Sequence, residues 1–272
     1  MKNKYVVSVI LAGSLWGFMG FFRRTLDVMG VSAIGCIAVR CSFAAVLFGV
    51  VLLVSDRSAF KIHLKDVWIF IGSGIVSLLI FGVCYFKAMD YMSLSAAAIL
   101  LYTAPCFVIL FSALLFKEKL TAQKLIAMVL AFAGCCLVSG IGGGARITPV
   151  GLALGLTAGV CYALYSIFSR FALNRGYSSL TINFYSCLLA AVGATMIGGT
   201  EYLDIITQTA PNFGFAFATG LVTCFMPYLL YTRGLEGLEN GKASIMASVE
   251  PVVATVVGIA VYNEALTPMS AG

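Results

Sequence analysis

Residues 85–121 read YFKAMDYMSLSAAAILLYTAPCFVILFSALLFKEKLT, and residues 231–267 read YTRGLEGLENGKASIMASVEPVVATVVGIAVYNEALT. Displaced by 146 positions, the two stretches align without a gap. Tyr85, Ala97, Ile99, Pro105, Glu118, Leu120 and Thr121 fall on Tyr231, Ala243, Ile245, Pro251, Glu264, Leu266 and Thr267, while Lys87 meets Arg233 and Asp90 meets Glu236. Each copy is an apolar run of helix length with one proline near its middle and E-x-L-T at its end. The element is duplicated.

The same displacement reaches further. Ala12-Gly13 falls on Ala158-Gly159, Phe22 on Phe168, Gly30 on Gly176, Ser32 on Ser178, Cys41 on Cys187, and Gly74 on Gly220. The first half therefore repeats, with 1–146 as one unit and 147–272 as the other.

Composition fixes the class. Of the 272 residues, 61% are hydrophobic and 10% charged, against about 25% charged in a soluble domain. The mean hydropathy is +1.03. So much apolar surface belongs in lipid, and continuous apolar runs exclude a β-barrel with its alternating strands. The first run, from Tyr5 to Phe22, follows Met-Lys-Asn-Lys, lacks a small-residue cleavage site and reads as an anchored helix. Further runs at about 33–54, 67–86, 93–116, 123–141, 149–169, 178–199, 212–231 and 243–262 are each long enough to cross a bilayer core of about 30 Å. The expected fold is an all-α polytopic membrane protein.

Loop charges set its expected orientation. With the N-terminus in the cytoplasm, Lys2, Lys4, Arg57, Lys61, Lys65, Lys117, Lys119, Lys124, Arg170, Arg175, Arg233 and Lys242 lie inside. Arg23, Arg24, Lys87 and Arg146 lie outside, and Arg40 falls within a run. That bias points to the plasma (inner) membrane with a cytoplasmic N-terminus, and it accounts for the net charge of +6 without nucleic acid. Nine cysteines sit almost wholly in apolar runs without C-x-x-C spacing, and His63 is the only histidine, so neither a metal site nor a cofactor is expected.

A repeat unit of five spans is odd in number, so the second unit enters the bilayer from the other side. The expected architecture is two inverted five-helix repeats in a ten-helix bundle. Gly272 aligns with Ile126, so the partner of residues 127–146 is not in the chain. Thr267-Pro268 reads as a helix start. The expectation is a tenth span missing from this chain.

Trp16-Gly17 in the first span, Arg40 in the second, the mid-helix Pro105 in the fourth, and the closing Glu118-Lys119-Leu120-Thr121 and Asn263-Glu264-Ala265-Leu266-Thr267 resemble the EamA-like family of the drug/metabolite transporter superfamily. The resemblance covers the whole chain. It implies ten helices in two inverted halves, a central cavity, and export of amino acids, metabolites or drugs.

Several residues are candidates for the chemistry. Pro105 and Pro251 each remove an N–H and free the carbonyl four residues earlier, on Leu101 and Ala247, which makes a helix break or hinge; an ordinary kink satisfied by neighbours is the plainer reading. Arg40 and Glu250 are the basic and acidic residues well inside spans, where a charge costs about 2.5–3.5 kcal/mol. Either they pair structurally or they serve substrate and proton in a cavity. Their counterparts are Ser186 and Ala104, so neither charge is repeated. Trp16, Tyr85, Tyr102, Tyr162, Tyr165, Asn183, Tyr185 and Ser248 could line the same cavity, Tyr102 and Ser248 best placed at one turn from the prolines, although aromatics near interfaces also form belts. Glu118, Thr121, Glu264 and Thr267 read as structural caps and pairings at span ends. Gly151, Gly155 and Gly159 form a small-residue ridge for packing within the bundle, with a homodimer face as the lesser reading.

No G-x-x-x-x-G-K-[ST], H-E-x-x-H or G-x-S-x-G occurs. The expected function is a secondary transporter of small amphipathic metabolites, amino acids among them, working by alternating access around a midplane cavity between the fourth and ninth spans. The alternatives are a multidrug or sugar-conjugate carrier of the same superfamily and, in another class, a passive pore or membrane-embedded enzyme.

Overall fold

The computed structural model describes residues 3–92, 94–138 and 148–262. Glu264 and Thr267, and with them the expected start of a tenth span, lie outside these residues. The described chain is helical throughout, and we label its long helices in order. They are α1 (Asn3–Val28), α2 (Ala33–Ser55), α3 (Leu64–Tyr91), α4 (Ala96–Phe116), α5 (Ala122–Val138), α6 (Pro149–Asn174), α7 (Ser179–Gly198), α8 (Ala210–Gly237) and α9 (Asn240–Tyr262). Eight of them are long and apolar enough to cross a membrane, and α5 contributes a shorter apolar helix. The protein is a polytopic α-helical membrane protein.

Helix starts follow from capping chemistry. Ser32 accepts from the N–H of Gly35 at the start of α2, and Ser178 accepts from that of Thr181 at the start of α7. These two serines are related by the 146-residue displacement. So are Gly30 and Gly176, whose φ angles of 93° and 84° belong to the left-handed region that glycine adopts without steric cost. Wide π-type turns interrupt α3 at Gly72–Ile80 and α8 at Leu221–Phe225, again at matching positions. In each, a buried hydroxyl turns back onto a carbonyl: Ser77 onto Gly72 at 2.9 Å, and Thr223 onto Thr219 at 2.6 Å. The carbonyls loosened by the wide turns thus find local donors in a medium that supplies no water.

Helix packing exchanges in the same way. Helix α2 lies on α7, its own counterpart. The contact of α1 with α8 is matched by that of α6 with α3, and the contact of α9 with α1 by that of α4 with α6.

The helices that carry Pro105 and Pro251 are both broken. Helix α4 is interrupted at Tyr102-Thr103 and resumes at Ala104-Pro105; α9 is interrupted at Ser248-Val249 and resumes at Glu250-Pro251. Proline at the second position of the resumed helix needs no N–H there. The breaks press against glycine faces. A Cβ on Gly13 of α1 would lie 2.6 Å from the Ala247 carbonyl oxygen, and one on Gly159 of α6 would lie 3.0 Å from the Leu100 carbonyl oxygen. The Gly151/Gly155/Gly159 ridge is accordingly occupied by the end of α3 and by α4 of the same chain.

Because the atom facing Gly13 is backbone, Gly13→Ala should force α1 and α9 apart at a cost of about 1–3 kcal/mol. Gly214→Ala, at a position with open space, should be tolerated. Thermal unfolding of the two variants in detergent checks this, and equal melting temperatures would contradict the close-approach account.

Candidate functional site

Five helices converge on one internal cavity. Helix α1 supplies Trp16; α4 supplies Leu101, Tyr102, Pro105 and Val108; α6 supplies Tyr162, Tyr165 and Ser166; α8 supplies Tyr228 and Tyr231; α9 supplies Ser244, Ala247, Ser248 and Glu250. The space open to the centre of a water molecule is about 30 Å³, so side chains must move to admit anything bigger than water.

Most of the aromatic contacts are edge to face, with the Trp16–Tyr231 pair tilted at 52°. Trp16 lies 5.2 Å from Tyr228, 5.4 Å from Tyr231 and 6.3 Å from Tyr162, centroid to centroid, and Tyr165 lies 4.9 Å from Tyr228. Buried hydroxyls need partners in such a site. Tyr165 donates to Oδ1 of Asn183 at 2.5 Å, and the Ser166 and Tyr231 hydroxyls share a bond of 2.8 Å. Tyr162 donates to the Glu250 carboxylate at 3.4 Å. Among the described residues no lysine or arginine lines the cavity, and Glu250 is its one formal charge.

Of the residues singled out in the sequence, Trp16, Tyr102, Tyr162, Tyr165, Ser248, Glu250 and Pro105 come together on this wall, while Tyr85, Asn183 and Tyr185 do not line it. Pro251 points elsewhere, into an adjoining chamber that it lines with Gly17, Gly20, Phe21, Arg24, Thr255 and Tyr262. Tyr102 borders both spaces. Arg40 does not reach the cavity and forms no ion pair with Glu250. Its guanidinium donates to the Tyr228 hydroxyl at 3.3 Å and to the Met19 sulfur at 3.2 Å, and its buried Nε has no partner among the described residues. Tyr228, Tyr231, Ser166 and Ser244 are lining residues that the sequence did not single out. Only Tyr231 carried a signal, as the counterpart of Tyr85.

One end of the cavity is closed by a polar clasp between the two halves of the chain. Glu118, at the end of α4, accepts from the N–H of Asn240 at 2.9 Å and of Gly241 at 3.4 Å, so its carboxylate caps the N-terminus of α9. Lys124 of α5 bridges Glu118 at 3.3 Å and Glu239 at 2.9 Å, and Lys242 adds a contact to Glu239 at 3.3 Å. Thr121 accepts from the N–H of Lys124 at the start of α5. Arg170 joins in by donating to Asn240 Oδ1 and to the Leu238 carbonyl, and the Asn240 amide reaches the Ser166 carbonyl behind the cavity wall.

A multi-pass helical bundle with an enclosed, aromatic-lined central cavity is the architecture of a membrane transporter, and the comparisons agree. The EamA-like transporter family model matches residues 3–140 and again residues 149–271, so the chain belongs to that family. An uncharacterized transporter from Archaeoglobus fulgidus is 25% identical over 97% of this chain and 92% of its own length. Two from Bacillus subtilis, the uncharacterized transporters YxxF and YwfM, are 24% and 23% identical over 94% and 98% of this chain and 81% and 89% of theirs. A solved crystal structure superposes with a TM-score of 0.82 over the whole chain and 92% of its own, at 16% identity.

The Glu239 carboxyl, in the loop before α9, is held below its ordinary range chiefly by its bond to Lys124. A lowered folded-state pKa gives stability that is present above the unfolded value of about 4.3 and is lost as pH falls through the folded one. Glu239→Gln should therefore melt below the wild type at neutral pH, and the two curves should converge below about pH 4. Melting temperatures measured from pH 7 to 3 would refute this if the gap stayed constant.

Proposed function

We propose that the chain is a secondary carrier that moves small amphipathic metabolites, amino acids among them, by alternating access around the cavity between α4 and α9. What carries this reading is the enclosed cavity built where two broken, proline-bearing helices meet, with a single carboxylate on its wall. In a medium that offers no water to loose backbone, broken helices are retained where they border a site. The restricted space, the absence of polar rings along a path among the described residues, and the lack of any nucleotide-binding or hydrolase motif all favour a carrier over a pore or an enzyme.

In this reading residues 1–146 and 147–272 are two repeats of inverted topology, and the exchanged helix packing supports that arrangement. The positive-inside bias places the clasp of Glu118, Lys124, Glu239 and Lys242 on the cytoplasmic side of an inner membrane, with the N-terminus. The Arg24-lined chamber then faces outward. Cargo passes from the central cavity to that chamber alongside Tyr102, while the clasp keeps the cytoplasmic end shut. Opening inward requires the clasp to part, with Pro105 and Pro251 marking where each helix bends.

Glu250 is the group on which coupling would rest, since a carboxylate inside a membrane bundle can hold a cargo amine or a proton. Glu250→Gln keeps the shape and removes the charge. It should reduce counterflow in proteoliposomes by at least about tenfold, or remove its pH dependence, while the folded yield stays that of the wild type. Flux that is unchanged in rate and pH profile would discard the role of Glu250. Absence of saturable counterflow for any metabolite tried would discard the carrier.

A further inference from the structure

The charge and ring geometry of the cavity say more about its cargo. We infer that the cavity selects small organic cations, amines or quaternary ammonium compounds with an apolar body, over zwitterions, anions and neutral molecules of the same shape. This inference rests on the reading of the cavity as the carrier's site and narrows its cargo from amphipathic metabolites in general to cations, which sets amino acids aside.

Six aromatic side chains, those of Trp16, Tyr102, Tyr162, Tyr165, Tyr228 and Tyr231, line the wall. Steep angles separate three of the ring pairs, 71° between Trp16 and Tyr228, 66° between Trp16 and Tyr162, and 74° between Tyr165 and Tyr228, while Tyr231 is tilted at 52° to Trp16 and 41° to Tyr165. Rings arranged this way box a space instead of stacking across it. An aromatic face carries partial negative charge and attracts a cation placed over it, the more strongly where water is excluded. Glu250 adds a full negative charge to the same wall, and no basic side chain among the described residues lines it.

Arg40 is a basic residue near the wall but not part of it. Its guanidinium stands behind Tyr228 and donates to that hydroxyl at 3.3 Å. A cargo carboxylate entering the box would meet tyrosine rings and Glu250, with no cation on the wall to receive it. A neutral cargo would leave Glu250 with only the long Tyr162 bond of 3.4 Å. A cation answers both groups: its charge faces the carboxylate and its methylene or methyl groups lie on the rings. The serine hydroxyls of Ser244 and Ser248 can take the N–H groups of a primary amine.

The test uses matched probes and a built-in reporter. The chain has two tryptophans, Trp16 in the box and Trp68, which packs against Phe168 and Phe171 elsewhere. In a Trp68→Phe background, Trp16 fluorescence is titrated with phenethylamine, phenylalanine and 2-phenylethanol, which share a ring and differ in charge. Phenethylamine should bind at least about tenfold tighter than the other two, and tetramethylammonium should compete with it. Glu250→Gln should bring the three probes within about threefold of one another, and Tyr162→Leu should weaken phenethylamine more than Tyr162→Phe does. Equal or tighter binding of phenylalanine or 2-phenylethanol by the wild type overturns the inference whatever the variants do.

Counterflow of the same probes separates the two readings. Selective phenethylamine binding without counterflow would reject the carrier and keep the cation box. Counterflow of phenylalanine or 2-phenylethanol without any preference for phenethylamine would reject the cation box and keep the carrier.

Discussion

The structure depends on backbone that has left its helical hydrogen bonding inside a medium with no water to replace it. Two such places, Tyr102-Thr103 and Ser248-Val249, set the rest. Each is met by a glycine-bearing helix, α6 or α1, close enough that a single methyl group would collide with main chain. Local bonds such as that of the Thr103 hydroxyl to the Leu100 carbonyl, at 2.6 Å, take up part of what the breaks release. The breaks in turn bring Tyr102 and Pro105 opposite Ser248 and Glu250, and the cavity exists because these segments are not continuous helix. The wide turns in α3 and α8 obey the same rule at lesser cost, each with a hydroxyl folded back on a carbonyl.

Duplicated backbone does not mean duplicated chemistry. The second half supplies most of the polar lining, and its counterparts in the first half are largely apolar. Ser166 replaces Gly20, Tyr228 replaces Gly82, Ser244 replaces Ala98, Tyr165 replaces Met19, and Glu250 replaces Ala104. Trp16 and Tyr162 face each other as the aromatic pair that both halves share. One half therefore supplies mainly apolar wall and the other most of the polar lining, with Asn183 and Thr232 behind Tyr165 fixing the ring they support.

Much of this was legible in residues alone because lipid restricts the options. Hydropathy alone gave the helices, and the displacement of 146 residues located two prolines at equal depth. The cavity residues nearest those prolines, Tyr102, Ser248 and Glu250, emerged from helix spacing. Arg40 is not among the lining residues, since sequence gives its depth and not its azimuth and the Tyr228 ring of α8 stands beside its guanidinium. Tyr228 stayed hidden for a related reason. It lies beyond the wide turn of α8, which rotates the remainder of the helix by an amount that no regular 3.6-residue period shows. Glu118 was visible as a capping residue, but that it caps α9, 122 positions away, is a property of the folded chain.

A lone carboxylate on the wall of a membrane-enclosed cavity is also an electrical element. One elementary charge carried through the full membrane potential gains or loses about 2.3 kcal/mol per 100 mV. In the proposed carrier, a Glu250 matched by a proton or by a cationic cargo would take no net charge of its own through the turn, and voltage would do little to that step. A bare Glu250 would move charge in the same turn, and the potential would bias it. With no second carboxylate at Ala104 to share the load, what Glu250 holds would decide which half of that proposed cycle the cell's voltage drives.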